Sequence, residues 1–323
     1  MTEKIHLHLI IPNEMGGNRL DQVIAKLLPD YSRTQIQAWI KKARITVNDK
    51  PCKPRDTVMG GENIMIDAER KTQPAFQAQP IDLNIVYEDD ALLVINKPVG
   101  MVVHPAAGNP DSTLLNALLH HVPALKELPR AGIMHRLDKD TSGLLVIAKT
   151  WASLTHLTAQ MKSRTIHRIY QAIVCGLLTS GGKVDEPIGR HPVQRKRMTV
   201  IETGKPSVTH FRVIERYRNH TRIRVQLETG RTHQIRVHMA HIRYPLLGDP
   251  VYGGRLQLPR GASPALVDIL RRFKRQALHA SELGLIHPVT EKEMHWQAPL
   301  PDDLQELIRI LKEDTRSLFE ENK

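Results

Sequence analysis

Apolar residues near the start of the chain recur at the three- and four-residue spacing of amphipathic helices. The pattern predicts a first helix from Arg19 to Leu28, which Pro29 stops, and a second helix that ends near Ala43. Ser32, followed three residues later by a glutamine, offers a capping box at the start of the second helix. The apolar positions that define the two helical faces are Leu20, Val23, Ile24, Leu27, Ile36, Trp39 and Ile40.

Short strand patterns follow these helices and complete a small unit. Residues 44–50 are typical of a strand that enters an Asn48-Asp49 turn, and residues 63–66 of another strand behind two glycines. The order of elements, with Arg19-Leu20-Asp21, Ser32-Arg33 and the turn ending at Lys50, resembles the S-four-like RNA-binding domain of a ribosomal small-subunit protein, over residues 17–75. A helical cap on a larger domain is the alternative interpretation.

The segment from Glu69 to Pro80 separates this unit from the rest of the chain. It contains two prolines and three glutamines and has no periodic apolar face. Such a composition is typical of a linker. We therefore expect a second, larger domain at residues 81–323.

Strand patterns outnumber helical ones in the larger domain and are mostly joined by turns. A hairpin is predicted around Asn219-His220, between strands at residues 208–215 and 221–228. Further strands are predicted at residues 85–87, 92–95, 144–148 and 166–174 and within 277–296. Helices are predicted at residues 113–121 and 151–164 and around Leu304, Leu307, Ile308 and Leu311. This order predicts an α+β fold with a mixed, mainly antiparallel sheet.

The stretch from Arg130 to Lys149 places polar and charged side chains directly before a continuous apolar run. Residues Leu144 to Ala148 have the pattern of a buried strand. A loop held by such a strand is a rigid place to present a carboxylate, so Asp138 is the candidate catalytic residue. An aspartate that only caps a turn is the open alternative, because Asp and Thr-Ser sequences commonly close turns.

The net charge of +12 is concentrated in one region of the chain. Residues 190–275 contain 19 Lys and Arg against 5 Asp and Glu, so the remainder sums to −2. A region of one sign attracts phosphate backbones, and nucleic acid is favoured over lipid because no basic amphipathic helix is evident. The isolated Cys52 and Cys175, without a signal peptide or a membrane-spanning apolar run, predict a soluble cytoplasmic protein that does not bind membranes.

Several common chemistries have no support in the sequence. It contains no phosphate-binding glycine loop, no strand-linked dinucleotide motif and no nucleophile elbow. His233, His238 and His241 lack a nearby carboxylate or cysteine, and the first two are five apart, which is poor spacing for one helical face. We therefore predict neither a metal nor a cofactor, and expect His238 and His241 at a helix surface or at the edge of a core.

Four motifs in the larger domain are shared with a known family. The segment His135-Arg-Leu-Asp-Lys-Asp-Thr-Ser-Gly143 resembles the signature loop of the RluA family of pseudouridine synthases. Ile169-Tyr-Gln-Ala172 is similar to the family's tyrosine strand, and residues 227–238 to its arginine motif. Gly248-Asp-Pro-Val-Tyr-Gly-Gly254 completes the set. The resemblance covers essentially the whole chain and is strongest to the RluD-type branch.

The resemblance implies an isomerase that detaches uracil from a uridine at N1, turns it and rejoins it to the ribose through C5. It implies that Asp138 acts on the sugar, either as a nucleophile or as a base. By the same resemblance Tyr170 stacks on the target base, Arg231 pairs with Asp138 and keeps it ionised, and Arg136 fills the space left by the extruded base. Lys97 and the segment Arg195-Lys-Arg197 are interpreted only as electrostatic surface.

The resemblance also implies a partner. We expect a monomer that acts on uridines of large-subunit ribosomal RNA, free or in a pre-ribosomal particle, within the stem-loop that reaches the subunit interface. Another ribosomal or transfer RNA site is the nearest alternative. A binding-only assembly factor would not need a reactive Asp138. A sugar hydrolase using Asp138 and Asp140 is disfavoured, because residues two apart are poorly placed to flank one bond.

Overall fold

A computed structural model describes most of the 323 residues; Met1 and residues 29, 30, 32, 72–75, 107, 196, 322 and 323 lie outside the description. The chain divides into two compact units, Met1–Ala75 and Phe76–Lys323. Each unit has a hydrophobic core of its own. Every helix in the described ranges is too short or too polar to cross a lipid bilayer.

The first unit combines two helices with a four-stranded antiparallel sheet. In chain order its elements are β1 (Thr2–Ile10), α1 (Leu20–Leu27), α2 (Arg33–Lys41), β2 (Ile45–Val47), β3 (Lys50–Pro51) and β4 (Asn63–Lys71). The strand order is β1-β4-β2-β3. Both predicted helices are confirmed, although the proposed Ser32 cap lies outside the described residues. The sequence pattern does not predict β1, which pairs with β4 along its whole length.

The predicted turn between β2 and β3 is confirmed. Both of its central residues, Asn48 and Asp49, have left-handed backbone angles, with φ of 47° and 63°. These are the angles of a type I′ hairpin turn, for which Asn and Asp are among the preferred residues. Because the turn and the strand patterns agree locally, this part of the unit could be predicted without knowledge of its tertiary contacts.

Asp21 is a fully buried carboxylate in the first unit. Its oxygens accept hydrogen bonds from Arg19 Nε at 3.1 Å and Arg33 Nε at 2.9 Å, and also from the Gln37 side chain. Although burial raises the pKa of Asp21, these hydrogen bonds hold it at about 2. The ion pairs therefore join the start of α1 to α2.

The second unit contains eleven strands and five α-helices within the described ranges. Its strands are β5 (Ile85–Glu88), β6 (Leu92–Lys97), β7 (Ser142–Ala148), β8 (His167–Cys175), β9 (Gly182–Asp185), β10 (Ile188–Arg190), β11 (Met198–Val200), β12 (Val208–Arg216), β13 (His220–Leu227), β14 (Leu278–Ile286) and β15 (Glu293–Gln297). Its α-helices are α3 (Leu114–His121), α4 (Trp151–Ser163), α5 (Gln234–His241), α6 (Pro264–Arg272) and α7 (Asp302–Glu321).

Nine of these strands, within the described ranges, form one mixed sheet in the order β5-β6-β7-β14-β8-β13-β12-β9, with β15 also paired to β14. All the strand pairs in this sheet are antiparallel except β7 with β14. The predicted α+β fold with a mainly antiparallel sheet is confirmed. So are the β12–β13 hairpin and the buried strand β7, in which all seven residues are buried. Strands β10 and β11 form a separate antiparallel pair.

The predicted linker is wrong at its first residues, and its last residues are hydrogen-bonded to α3. Residues up to Lys71 belong to β4, while residues 72–75 lie outside the description. On the other side, the Asn116 side chain of α3 donates to the Gln77 carbonyl at 2.8 Å, and the Gln79 N–H donates to the Asn116 carbonyl at 3.0 Å. Backbone hydrogen bonding of this kind needs no periodic apolar face, so the composition of the segment gave no sign of it.

Candidate active site

Asp138 lies in the loop that leads into β7, and the packing of β7 fixes this loop. Gly143, the second residue of β7, has a φ of +116°, and a Cβ atom there would lie 2.2 Å from the carbonyl oxygen of Ala280 in β14. Only glycine permits this approach of the two strands. The Thr141 N–H donates to the Asp138 carbonyl at 3.1 Å and closes a turn. The Asp138 side chain is 17% exposed, so a substrate can reach the carboxylate from one side.

Lys97, the last residue of β6, supports the same loop from inside the protein. Its side chain is fully buried, and Nζ donates to the carbonyl oxygens of Pro98 at 2.7 Å and of Met101 and Lys139 at 3.0 Å. The interpretation of Lys97 as electrostatic surface is therefore wrong. Burial lowers the pKa of Lys97 to about 8, although the nearby carboxylates of Asp140 and Asp138 favour its charged form.

The arginine that pairs with Asp138 is Arg236, so the predicted pairing with Arg231 is wrong. Nη1 of Arg236 donates to Asp138 Oδ2 at 2.9 Å. The Arg231 side chain is exposed, and its Nε lies 3.4 Å from the Pro206 carbonyl. The reason is their position: Arg236 is buried in α5, whereas Arg231 precedes this helix.

Arg236 is itself fixed by a second carboxylate. Its Nε and Nη2 donate to the two oxygens of Asp249 at 2.7 and 2.9 Å. Asp249 Oδ1 also accepts from the backbone N–H groups of Val251 and Tyr252. Although burial raises the pKa of Asp249, Arg236 and these N–H groups hold it below its ordinary value. A planar guanidinium bound in this bidentate way cannot rotate freely, so it presents a fixed cation to Asp138.

Tyr170 lies in β8, where it is opposite Val225 of β13 and Ala280 of β14. Its side chain is part of the main hydrophobic core, and the residue is 5% exposed. Burial raises the pKa of the Tyr170 hydroxyl; Arg168 opposes this shift and Asp138 adds to it. Tyr170 is thus close enough to Asp138 to respond to its charge, with only a small part of its surface uncovered.

Arg136 lies two residues before Asp138 and is exposed. Its charge acts on two histidines, His104 and His233. Burial, with contributions from Arg130 and Arg136, lowers the pKa of His104 to about 4, and Arg136 also contributes to the lowered pKa of His233. Arg136 therefore adds a positive charge on the solvent side of the site.

His233 and Tyr252 also line the site, and the sequence interpretation assigned neither of them to it. His233 Nε2 is 3.8 Å from Asp138 Oδ1, and His233 Nδ1 is 2.8 Å from the Tyr252 hydroxyl. The guanidinium of Arg236 lies 5.1 Å from the centre of the Tyr252 ring. Helical spacing gives no signal for His233, because the residue lies before α5 with left-handed backbone angles. A signal for Tyr252 was present, because it lies inside the shared motif Gly248–Gly254.

The other two histidines of the same motif have different environments. His238 is fully buried, where its ring nitrogens bond to the Thr209 hydroxyl at 2.8 Å and the Glu186 carbonyl at 3.0 Å. The prediction of a helix-surface or core-edge position is therefore wrong for His238, whereas His241 is exposed as predicted. Among the described residues, no group of three His, Cys, Asp or Glu side chains could hold a metal ion.

The hairpin formed by β10 and β11 belongs to the basic region and lies beside the site. The Met198 N–H in β11 donates to the Tyr252 hydroxyl at 2.9 Å. The Arg197 guanidinium lies 5.3 Å from the centre of the Tyr252 ring. Val193, in the turn of the hairpin, is 81% exposed. The hairpin, which carries the positive charge of Arg197 and the exposed Val193, thus contacts the site at Tyr252.

The arrangement offers a single carboxylate for chemistry. Arg236 holds one oxygen of Asp138, and the side chain remains partly open to a substrate. A carboxylate held in this way can attack an electrophilic carbon or accept a proton from one. A fixed cation beside it also stabilises negative charge in a water-poor site.

Comparisons with known proteins agree with this arrangement. A model of the RNA pseudouridylate synthase family matches residues 91–241, and a model of the S4 domain matches residues 18–64. Ribosomal large subunit pseudouridine synthase D of Pseudomonas aeruginosa is 55% identical over 314 residues, which are 97% of this chain and 98% of that protein. The protein of the same name from Escherichia coli strain K12 is 53% identical over 324 residues, covering 100% of this chain and 98% of its own.

Two solved structures of human proteins are similar in fold. Human RNA pseudouridylate synthase domain containing 4 aligns with a TM-score of 0.55 and 25% identity, over 71% of this chain and 93% of its own. Human RNA pseudouridylate synthase domain containing 1 aligns with a TM-score of 0.53 and 26% identity, over 69% of this chain and 86% of its own.

Proposed function

Because the chain belongs to the family of RNA pseudouridine synthases, we propose that it isomerises specific uridines of large-subunit ribosomal RNA to pseudouridine. The similarity to the two bacterial relatives runs through the S4 domain and the synthase domain alike. Both relatives are named for the ribosomal large subunit. The same pair of units is therefore available for the same class of RNA.

The observation that carries the proposal is the array Asp138–Arg236–Asp249, which joins the signature loop, the arginine motif and the Gly248–Gly254 motif. Pseudouridine formation breaks the bond between uracil N1 and ribose C1′ and forms one between C5 and C1′. A proton leaves C5 and N1 gains one, so the atoms balance without a cofactor. Asp138 either attacks C1′ or takes a neighbouring ribose proton, and Arg236 keeps the carboxylate oriented in both cases.

Tyr170 and Arg136 have supporting roles in this proposal. Tyr170 supports the face of the target base, with its small uncovered part as the contact. Arg136 is exposed two residues from Asp138, so its side chain can enter the RNA stack as the base leaves it. Extrusion is required because the glycosidic carbon of a stacked nucleotide is out of reach of the carboxylate.

The substrate is proposed to be an RNA loop. Proteins read unpaired RNA bases well and paired ones poorly, because the A-form major groove is too deep and narrow for side chains. We propose the stem-loop at the subunit interface as the target, with the S4 domain as a second point of RNA contact. One chain supplies Asp138, Arg236 and Asp249, so we also propose that the enzyme acts as a monomer. We propose a cytoplasmic location because the relatives are named for the ribosomal large subunit.

The direct test is incubation of the purified protein with large-subunit ribosomal RNA made with labelled uridine, followed by nucleoside analysis. We expect pseudouridine and no free uracil. The Asp138→Asn variant should form no pseudouridine and bind RNA with nearly unchanged affinity, because the substitution is isosteric and phosphate contacts dominate affinity. Turnover by pure Asp138→Asn protein contradicts the catalytic role, and free uracil indicates a hydrolase.

The target can be tested separately from the reaction. Pseudouridines are mapped in ribosomal and transfer RNA from cells that lack the protein and from the same cells complemented with the wild type or with Asp138→Asn. Loss within the interface stem-loop, restored only by the wild type, supports the proposed target. Loss at another ribosomal or transfer RNA site keeps the reaction and replaces the target.

A further inference from the structure

His233 occupies an unusual backbone position next to the catalytic carboxylate. It immediately precedes α5 and has left-handed backbone angles, with φ of 57°. Residues other than glycine adopt these angles uncommonly, although Asn, Asp and His do so more often than the rest. The conformation costs energy, and residues that adopt it are concentrated at functional sites. The conformation brings the His233 ring between the Tyr252 hydroxyl and Asp138, in contact with the first and 3.8 Å from the second.

The hydrogen bonds of Tyr252 favour one of the two nitrogens of His233 as the one that carries the proton. The Tyr252 hydroxyl already accepts the Met198 N–H at 2.9 Å, so its own proton remains to be donated. His233 Nδ1 lies 2.8 Å from this hydroxyl and is placed to accept that proton. A neutral imidazole that accepts at Nδ1 must carry its proton on Nε2. This nitrogen is the one that faces Asp138 Oδ1.

The surroundings of His233 favour the neutral ring. Burial lowers the pKa of His233; Asp138 opposes this effect, and Arg236 supports it. Neutral imidazole with a fixed N–H is a known type of hydrogen-bond donor in active sites. It can therefore donate to Asp138 without cancelling the negative charge that the reaction requires.

We propose that His233 is a positioning residue for Asp138, donating from Nε2–H to Oδ1 while Arg236 holds Oδ2, with its tautomer set by Tyr252 and the Met198 N–H. The inference rests on the proposed pseudouridine synthase reaction. The 3.8 Å separation is longer than a hydrogen bond, and catalytic hydrogen bonds commonly shorten when a substrate binds. Because Met198 belongs to the basic β10–β11 hairpin, RNA bound to the hairpin would tighten the same chain of contacts.

Two substitutions at position 233 separate the effect of side-chain length from that of the left-handed backbone angles. His233→Asn suits left-handed angles but is too short to reach Asp138, whereas His233→Gln extends an amide N–H close to the position of Nε2. We expect the single-turnover rate of His233→Asn to fall about tenfold or more at unchanged RNA affinity, and that of His233→Gln to stay within about threefold of the wild type. Circular dichroism and thermal melting verify that each variant is folded.

A spectroscopic measurement tests the tautomer without reference to activity. In ¹⁵N-histidine-labelled protein, the His233 signals are identified by their loss in His233→Gln. We expect an unprotonated Nδ1 and a protonated Nε2 at neutral pH. Tyr252→Phe keeps the ring against Arg236 but removes the hydroxyl, so it should give a mixture of tautomers and a slower single-turnover rate.

The outcomes separate this inference from the proposed function. Equal loss of rate in His233→Gln and His233→Asn, full rate in both, or a proton on Nδ1 in the wild type each overturn it. If the wild type forms no pseudouridine on any RNA, the proposed function fails. The tautomer measurement then still tests the hydrogen-bond chain.

Discussion

Replacement of Arg236 by alanine should damage catalysis far more than the same replacement of Arg231. Arg236 Nη1 donates to Asp138 at 2.9 Å, whereas the exposed Arg231 makes no comparable contact with a carboxylate in the described part of the site. A hydrogen bond to a charged group contributes about 1.5–3 kcal/mol. If that contribution is made mainly in the transition state, its loss slows the reaction about 10- to 150-fold.

The same substitution should also destabilise the second unit. Without Arg236, the carboxylate of Asp249 remains buried and unpaired, and breaking a buried pair in this way costs about 3–5 kcal/mol. The backbone N–H groups of Val251 and Tyr252 still bind Asp249, so the lower end of that range is expected. For a unit of this size, a loss of about 3 kcal/mol should lower the melting temperature by roughly 6–12 °C.

The assay must separate these two effects. Single-turnover rates are measured with excess enzyme at saturating RNA, well below the melting temperature of each variant, and RNA affinity is measured by filter binding. The double variant Arg236→Ala with Asp249→Asn removes the unpaired charge, so it should recover stability but not rate. The reasoning is refuted if Arg231→Ala slows the saturated single-turnover step more than Arg236→Ala does.

Three further predictions follow from other contacts. Lys97→Met leaves the carbonyl oxygens of Pro98, Met101 and Lys139 without their donor. It should therefore lower the free energy of unfolding in urea by about 2–4 kcal/mol and slow catalysis at unchanged RNA affinity. An unchanged unfolding curve would contradict this prediction. Gly143→Ala should cost about 3 kcal/mol or more, because its Cβ meets the backbone of β14. Gly100 also has a positive φ, +83° against +116° for Gly143, but open space where a Cβ would lie, so Gly100→Ala should cost about 1 kcal/mol; equal losses would show that packing is not the cause. The folded-state pKa of Asp21, about 2, lies below the unfolded value, so its carboxylate stabilises the first unit above pH about 4 and loses this effect as the pH falls toward 2. Hydrogen exchange at the amides of α1 should therefore show an advantage of the wild type over Asp21→Asn, about 2 kcal/mol at neutral pH, that disappears in acid; an advantage independent of pH would exclude the charge as its source.

The sequence patterns predicted those elements whose determinants lie in neighbouring residues. The apolar run that became β7 is buried along its whole length, and the Asn48-Asp49 turn adopts the angles that these residues favour. Helix α6 also had local signals that the interpretation did not use. Ser263 caps it by accepting from the Leu266 N–H at 3.2 Å, and Pro264 occupies its first turn.

The burial of Lys97 could not be predicted from its neighbours in the sequence. A lysine at the end of an apolar strand reads as a charge that reaches solvent. Its actual partners include the carbonyl of Lys139, 42 positions away, and the site of burial exists only after the Asp138 loop has folded over β6. The buried ammonium group is bound by backbone carbonyl groups, which are present at every residue. No pattern of side chains in the sequence therefore marks the site.

The incorrect prediction of Arg231 in place of Arg236 as the partner of Asp138 has a more specific cause. Both arginines lie in one motif, 93 and 98 residues after Asp138, so sequence distance cannot select between them. What selects is the Gln234 side chain, whose Oε1 accepts from the Arg231 N–H at 3.0 Å and from the Thr229 hydroxyl at 2.8 Å. These bonds fix the segment before α5 while its arginine side chain remains in solvent. Arg236, which follows within the helix, is on the buried side, where Asp138 and Asp249 both require a cation. The position of the cation beside Asp138 is therefore set by how the helix begins, and substitutions at Gln234 should affect Asp138 without touching it.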